Sequence, residues 1–283
     1  MHISRVIVSF CSVVTLLPAL AQEVPRDEPA FTEYVATQLR KEVGDAVVAV
    51  KGPLTVGLGE IQANLDRIFG FCRTNAADCS AEIDRYVKGA VQVHKDRTAP
   101  PTKEMIRVVI RSSQYIQAAQ ASLGNAGPPQ IQPRAFVAGL VALPALDSPR
   151  TLRMLGDKDN VQLGLSAQEV YDLGLENLRR ILKPLMEVAK VVGKGQIGQL
   201  VGDSFQPSRL LLLDTWAPLA KAQGGTLIVA VPATDAVFYI GEDTPIAIDA
   251  LRALSKNVMA RAPSRLSNEL LRWRETGWEA VPQ

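Results

Sequence analysis

The chain has 283 residues, 47% of them hydrophobic and only 5% aromatic, so its core is predicted to consist mainly of Ala, Val, Leu and Ile side chains. Its 31 Lys and Arg residues almost balance its 29 Asp and Glu residues. This balance argues against nucleic acid as a partner, because nucleic-acid binding needs a strongly basic surface.

Residues 1–21 are predicted to be a signal peptide. An apolar run from Val6 to Leu17 follows a basic residue, and Ala19-Leu20-Ala21 then provides the small-x-small pattern that signal peptidase accepts. The run is shorter than the ~20 residues that cross a bilayer. Phe10, directly before Cys11, does not fit the small residue of a lipidation motif. We therefore expect a periplasmic or secreted protein with no membrane insertion after cleavage.

The remaining chain of about 260 residues is long enough for one large domain or two small ones. Residues 22–30 are expected to form an N-terminal linker. Residues 31–283 are expected to fold as an α+β domain. This domain is either one body or an N-terminal lobe, residues 31–100, followed by a main lobe, residues 101–283.

Cys72 and Cys79 are the two cysteines beyond the signal peptide, and they are predicted to form a disulfide. An oxidising compartment makes an intramolecular bond the default for such a pair. A metal-binding pair is the competing interpretation. It is disfavoured because the one His of the mature chain cannot complete a Cys/His zinc site with them.

The N-terminal part of the mature chain is predicted to contain three helices and a hairpin. Apolar periodicity predicts a helix from Phe31 to Val43. The segment AVVAVKGPLTVGL predicts a hairpin that turns at Lys51 to Pro53. Two more helices are predicted over Ile61–Phe69 and Ala81–His94, the second of them capped by Ser80.

The middle of the chain is predicted to contain three strands and one strong helix. EMIRVVIR predicts a strand, and the Gly and Pro residues of QAAQASLGNAGPPQIQP predict a long loop after it. AFVAGLVAL and RTLRML predict two strands that PALDSP joins as a hairpin. Ser166 and Glu169 form a capping box, so a helix is predicted to begin there, with Val170 and Leu178 on its buried face.

The C-terminal part repeats an alternation of strand pairs and helices. Strands are predicted at Met186–Val192 and Gln196–Val201, then a helix from about Ser208. TLIVAV and AVFYIG predict two more strands, and TPIAID predicts a helix with Pro245 in its first turn. ELLRWRETGWEAV predicts a last hairpin that turns at Thr276 and Gly277. Strand pairs separated by single helices are typical of an α+β fold with mostly antiparallel sheets formed from hairpins.

Gly193, Gly195 and Gly198 have the spacing of a dinucleotide-binding loop. That loop works only inside a strand–helix–strand unit, in which a long helix follows the last glycine. Only about ten residues separate Gly198 from Leu210, and a glycine and a proline lie among them, so the helix does not fit. We therefore predict two turn glycines and a strand glycine, and no nucleotide cofactor or other cofactor.

Four segments, taken together and in order, resemble the YtpQ-like family of bacterial proteins, and the resemblance covers most of the mature chain. The features that carry it are a V-I-R-S strand end, Asn177 in the capped helix, a D-x-F-x-x-S-R-L-L turn and an A-V-P-x-x-D hairpin. The family has no known molecular function, so the resemblance implies a domain without implying an activity. Many relatives look cytoplasmic, so the signal peptide and cysteine pair depart from the pattern and no cytoplasmic partner is carried over. The segments are VVIRSS (Val108 to Ser113), LSAQEVYDLGLENLRRIL (Leu165 to Leu182), GDSFQPSRLLLLDTW (Gly202 to Trp216) and LIVAVPATDAVFYI (Leu227 to Ile240).

The sequence carries little support for catalysis or for a metal. His94 is the one histidine beyond the signal peptide and is predicted to lie on the surface, in the last turn of its helix. Asp157, Asp159 and Asn160 suggest a calcium loop, but the following residues lack the required oxygen ligand and glycine, so a polar turn is predicted instead. No catalytic residue and no metal ligand is therefore assigned.

Polar residues at predicted strand ends are the candidate binding site, and two functional classes follow from them. The leading one is non-catalytic binding of a protein or small ligand in the cell envelope, with an immunity or inhibitor protein as a narrower form. The alternative is a carboxylate-dependent hydrolase of envelope material, although its carboxylates, Asp147, Asp203 and Asp235, all fall at predicted turns, where Asp is common. Helix capping and salt bridging would explain the same residues without a site. The candidates are Arg111, Ser112, Asp203, Ser208, Arg209 and Asp235.

Overall fold

The computed structural model describes residues 23–59, 61–123, 133–200 and 204–282. It divides into two units, one ending at His94 and the other beginning at Lys95. Helices alternate with antiparallel sheets in both, which confirms the predicted α+β class. No helix within these ranges is both long enough and apolar enough to cross a membrane. The predicted signal peptide lies outside the described residues.

The N-terminal unit packs three helices on a three-stranded antiparallel sheet of order β1-β2-β3. The buried face of the first helix carries Phe31 and Leu39, and Phe31 meets Phe69 edge to face with 5.1 Å between ring centroids. The elements are α1 (Glu28–Val43), β1 (Val48–Gly52), β2 (Thr55–Leu58), β3 (Ile61–Asn64), α2 (Asp66–Thr74) and α3 (Cys79–Thr98).

Three predictions for this unit need correction. Helix α1 begins at Glu28, inside the predicted linker, because Asp27 caps it by accepting a hydrogen bond from the amide of Ala30 at 2.9 Å. The predicted Ile61–Phe69 helix is wrong, since residues 61–64 pair with β2 and the helix starts only at Asp66. Helix α3 starts at Cys79 and ends at Thr98, so Ser80 lies within it.

The predicted disulfide is confirmed: the Sγ atoms of Cys72 and Cys79 are bonded at 2.06 Å. The bond joins the end of α2 to the start of α3. Cys79 is buried, and Cys72 is partly exposed in a shallow groove next to Phe69.

We expect free-thiol labelling of the denatured, unreduced mature protein to find no reactive thiol at Cys72 or Cys79. A bond across seven residues stabilises the folded unit by about 2.5 kcal/mol in the chain-entropy relation, so reduction should lower its melting temperature. The double variant Cys72→Ser, Cys79→Ser is the control, because its melting should not respond to reductant. Two reactive thiols in the wild-type chain would contradict the disulfide.

The C-terminal unit contains two antiparallel sheets. In the first, β4 pairs with β6, and β6 also pairs with β5 and β7. The second has the order β12-β11-β9-β10-β8. The strands are β4 (Ile106–Ser112), β5 (Arg134–Ala135), β6 (Leu140–Asp147), β7 (Leu152–Met154), β8 (Gly198–Leu200), β9 (Ile228–Ala233), β10 (Ala236–Ile240), β11 (Leu270–Arg274) and β12 (Gly277–Ala280).

The helices of this unit cover the sheets. The predicted capping box of α6 is confirmed: Ser166 Oγ accepts from the amide of Glu169, and Glu169 Oε2 accepts from the amide of Ser166. Gly174 lets α6 lie close to β4, because a Cβ there would be 2.8 Å from a methyl carbon of Val108. The helices are α4 (Ser113–Leu123), α5 (Asp157–Leu163), α6 (Ala167–Ile181), α7 (Leu185–Val188), α8 (Ala217–Ala222) and α9 (Pro245–Arg261).

Four predictions for this unit also need correction. Part of the predicted long loop is helix α4, because its Gln and Ala residues favour a helix and its Gly and Pro residues come later. The predicted Met186–Val192 strand is the short helix α7 followed by irregular chain. The predicted polar turn at Asp157 is helix α5. The helix predicted from about Ser208 consists of two 3₁₀ turns, Gln206–Leu211 and Leu213–Trp216, ahead of α8.

Candidate functional site

One groove in the C-terminal unit collects polar side chains from the ends of several strands. It has a volume of about 330 Å³. Its walls come from the end of β4, the β6–β7 turn, the β9–β10 turn and the segment before the first 3₁₀ turn. We call it the strand-end groove and define it by Arg111, Asp147, Arg150, Thr151, Phe205 and Asp235.

Arg111 is the half-buried cation of this groove. It lies near the end of β4, opposite Val141 of β6. Its Nη1 donates to the carbonyl of Ile110 at 2.8 Å, and its guanidinium carbon lies 6.0 Å from the centre of the Tyr115 ring. Among the described residues it forms no ion pair with a carboxylate. Burial lowers the pKa of Arg111, and Tyr115 only partly opposes that effect.

Asp147 reaches the groove from the end of β6, and a cation behind it balances its charge. Arg107 Nε lies 3.6 Å from Asp147 Oδ2, and the Arg107 side chain is buried. Arg107 Nη1 also donates to the carbonyls of Glu104 and Ile106. Burial lowers the pKa of Arg107, while Asp147 acts to raise it. The carboxylate of Asp147 therefore belongs partly to a structural pair.

Thr151 lines the same groove, and its hydroxyl oxygen is buried. The β6–β7 turn is closed by two backbone bonds, Ser148 N to Thr151 O at 2.8 Å and Thr151 N to Ser148 O at 3.3 Å. These bonds fix the position of the residue. Its Oγ1 is buried and has no hydrogen-bond partner among the described residues. Arg150, one position earlier, is exposed.

Asp235 forms the other wall, at the tip of the β9–β10 hairpin. Ala233 pairs with Ala236, so Thr234 and Asp235 form the turn. The amide of Thr234 donates to the carbonyl of Ser264 at 3.1 Å, which fixes the turn, and the side chain of Asp235 is exposed. The structure thus brings Arg111 and Asp235, two of the sequence-predicted residues, to one groove.

The other predicted site residues lie elsewhere. Ser112 Oγ accepts from the amide of Tyr115 at 3.2 Å and so caps α4. Ser208 is buried, and its Oγ accepts from the amide of Ile110 at 3.1 Å, which holds β4 in place. Arg209 is 1% exposed and bonds to Gln206 and to the carbonyl of Lys183. Asp203 lies outside the described residues.

Four members of the groove were missed as binding residues by sequence reasoning, and one of them, Asp147, had been considered only as a catalytic carboxylate. Arg150 and Thr151 lie in a turn that reads as an ordinary strand connection, and Phe205 reads as a core residue. The signal that could have found them is the Asp-Ser-Pro-Arg-Thr run between two strands, which places several polar side chains at one strand end.

Four carboxyl groups outside the groove, those of Glu104, Asp159, Glu169 and Asp214, have a lowered pKa. Burial raises the pKa of Asp159, but hydrogen bonds from Arg153 and from the Gly156 amide together outweigh this effect, so the pKa is lowered overall. The others are lowered mainly by hydrogen bonds: Glu104 from its own backbone amide and Thr102, Glu169 from Ser166, and Asp214 from Arg179.

His94 and Asp159, the residues considered for catalysis and for calcium, both contact other residues of the fold. His94 is half-buried within α3, next to Gly59, where an added Cβ would lie 3.1 Å from the imidazole. The Asp159 carboxylate receives two hydrogen bonds of 2.7 Å from Arg153. Within the described ranges, no three His, Cys, Asp or Glu side chains are grouped so that they could hold a metal ion.

No family model, curated protein or solved structure matches the chain. The groove itself is therefore the basis for assigning a function.

Proposed function

We propose that this chain is an exported YtpQ-like protein that binds a protein segment or a small ligand in the cell envelope, without catalysis, at the strand-end groove. The observation that carries the proposal is Arg111, a half-buried guanidinium that lines the groove and has no acidic partner among the described residues. Buried polar groups in proteins are normally paired, so such a group is typical of a site completed by a ligand.

Export is supported by two features of the chain. The first residues have the pattern of a cleaved signal peptide. The Cys72–Cys79 bond belongs to an oxidising compartment, because cytosolic thiols are kept reduced. An immunity or inhibitor protein that neutralises a toxin is the narrower form of this function. It would use the groove for a segment of the toxin.

A carboxylate-dependent hydrolase is the second candidate, because Asp147 and Asp235 both line the groove. A glycosidase-type mechanism needs one carboxyl group that stays protonated near neutral pH. Asp147 is paired with Arg107 and Asp235 is exposed to solvent, so neither carboxyl group has the apolar pocket in which such a general acid is found. Binding is therefore favoured over hydrolysis.

We expect Arg111→Ala to weaken retention of the natural partner at least tenfold with little loss of stability. The side chain makes one hydrogen bond to a carbonyl, so its removal should cost no more than about 1 kcal/mol of unfolding free energy. Immobilised protein would be exposed to periplasmic extract, and the retained molecules quantified by mass spectrometry. Arg261→Ala, which removes an exposed Arg at the end of α9, is the matched control.

The same variants separate the two functions. If the wild-type protein releases soluble fragments from purified cell-wall material, and Asp147→Asn or Asp235→Asn abolishes the release, the non-catalytic proposal is overturned. Equal retention of the partner by wild type, Arg111→Ala and Arg261→Ala would instead show that the partner does not bind at the groove.

A further inference from the structure

We infer that the ligand of the strand-end groove presents an oxyanion, a carboxylate or phosphate group, to Arg111 and Thr151. This inference rests on the proposed function and adds the chemistry of the ligand to it. It follows from three independent features: the donors left over on Arg111, the hydroxyl of Thr151 and the charges of the groove.

Arg111 has donors to spare. A guanidinium carries five N–H groups, and the bond to the carbonyl of Ile110 uses one of them. The Tyr115 ring lies near the cation and adds a weak attraction at 6.0 Å. Half-burial removes much of the water that would otherwise satisfy the remaining donors. A planar two-oxygen acceptor matches the fork of donors that is left.

Thr151 supplies a second donor in the same groove. Its hydroxyl oxygen is buried and has no partner in the described part of the chain. The turn around it is closed by backbone bonds, so the hydroxyl cannot leave by a backbone shift without breaking them. Burying a hydroxyl without a hydrogen bond is unfavourable, and an oxyanion that accepts a hydrogen bond from it removes the penalty.

The charges favour an anion over a cation. Asp147 is balanced by Arg107 behind it. Arg150 adds a second guanidinium, and it is exposed; among the described residues that line the groove, Asp235 is the other carboxylate, and it is also exposed. In the half-buried part of the groove, Asp147 is already paired with Arg107, so the charge of Arg111 is left unbalanced among the described residues. Phe205 provides apolar area for the part of the ligand next to its charged group.

The test is an NMR titration of the isotope-labelled protein with four probes at equal ionic strength: acetate, inorganic phosphate, methylammonium and acetamide. We expect acetate or phosphate to shift the Arg111 Nε–Hε resonance and the Thr151 amide saturably. The tighter of the two anions distinguishes a carboxylate source from a phosphate source. Methylammonium and acetamide should not saturate these resonances.

Variants separate binding from folding. Thr151→Val keeps the shape and removes the hydroxyl, so it should weaken anion binding about fivefold while the melting temperature stays the same or rises. Arg111→Ala should weaken binding at least tenfold, and Arg111→Lys about fivefold because the charge remains and the fork is lost. Arg261→Ala should bind as the wild type does.

The failure of this inference differs from the failure of the proposed function. Saturation by methylammonium or acetamide at the same or lower concentration than either anion would overturn the oxyanion and leave binding at the groove standing. A lower melting temperature in Thr151→Val with unchanged anion affinity would also overturn it, because the hydroxyl would then serve the fold. Loss of the natural partner in Arg261→Ala as in Arg111→Ala would count against the proposed function instead.

Discussion

Gly198→Ala should destabilise the C-terminal unit by about 3 kcal/mol or more. A Cβ at this position would lie 2.2 Å from the Tyr239 ring, far inside van der Waals contact. The ring is buried, and its hydroxyl is bonded twice to the backbone of Lys190, at 2.7 Å as acceptor and as donor. Overpacking alone costs about 1 to 3 kcal/mol, and a displaced Tyr239 would lose both hydrogen bonds as well.

The two neighbouring glycines are the matched controls. Gly195 has a φ of +71° and open space around it, so Gly195→Ala should cost roughly 1 kcal/mol through backbone strain alone. Gly193 has nothing closer than 3.5 Å to an added Cβ, so Gly193→Ala should change stability by less than about 0.5 kcal/mol. Urea unfolding followed by tryptophan fluorescence measures all three variants. Equal effects of the three would contradict this assignment of roles.

This ranking of the three glycine substitutions differs from the one expected for a nucleotide-binding loop. There all three glycines would serve the ligand, and Gly195→Ala would abolish binding. Gly198 instead lies in a three-residue edge strand that pairs antiparallel with β10. Equilibrium dialysis against NAD, FAD and ATP should find no saturable binding. Micromolar binding lost in Gly195→Ala would reverse the interpretation.

Elements with strong local signals could be predicted from the sequence. The capping box of α6, the Thr244–Pro245 start of α9 and the β9–β10 and β11–β12 hairpins depend on neighbouring residues, and the structure contains all of them. The signal in each case is a side-chain cap or a turn that forms without help from distant residues.

Elements that depend on distant partners could not be predicted in the same way. Residues 61–64 have apolar spacing compatible with a helix, but pairing with β2 makes them a strand. Residues 186–192 alternate in a way that suggests a strand, yet Leu185 and Ala189 are buried one helical turn apart. In both segments the rest of the fold decides which residues are buried, and this overrides the local pattern.

The same limit applied to the candidate site. Strand ends could be located, so Arg111 and Asp235 were found, and the structure places both on one groove. Which polar residues near a strand end point inward could not be told from spacing. Ser208 and Arg209 follow such an end, but an irregular 3₁₀ turn directs both side chains into the protein. An α-helix at this point could have been predicted from its apolar periodicity, whereas a 3₁₀ turn is too short to show a periodic pattern.

The buried position of Arg209 gives the last prediction, a loss of about 3 to 5 kcal/mol in Arg209→Ala. Arg209 Nε donates to Gln206 Oε1 at 3.0 Å, and Nη1 donates to the carbonyl of Lys183 at 2.9 Å. Removing the side chain takes these donors from two acceptors and leaves a large cavity, and both effects destabilise. The backbone carbonyl of Arg209, which Arg209→Ala retains, accepts from Trp216 Nε1 at 2.9 Å, and the ring centroids of Trp216 and Trp278 lie 5.1 Å apart.

Arg111 and Arg209, two residues with the same side chain, should therefore respond in opposite ways. All three tryptophans of the chain, Trp216, Trp273 and Trp278, lie in the C-terminal unit, so fluorescence-detected urea unfolding reports on that unit alone. Arg111→Ala should lose anion binding and unfold within about 1 kcal/mol of the wild type, because its side chain faces the groove. Arg209→Ala should instead lose about 3 to 5 kcal/mol of unfolding free energy. Arg209→Met, which keeps most of the volume, should recover part of the loss because it fills the cavity while leaving the two acceptors without their donor. If Arg209→Ala melts like the wild type and loses the ligand, the buried arginine belongs to the binding site after all, and the site extends beyond the groove.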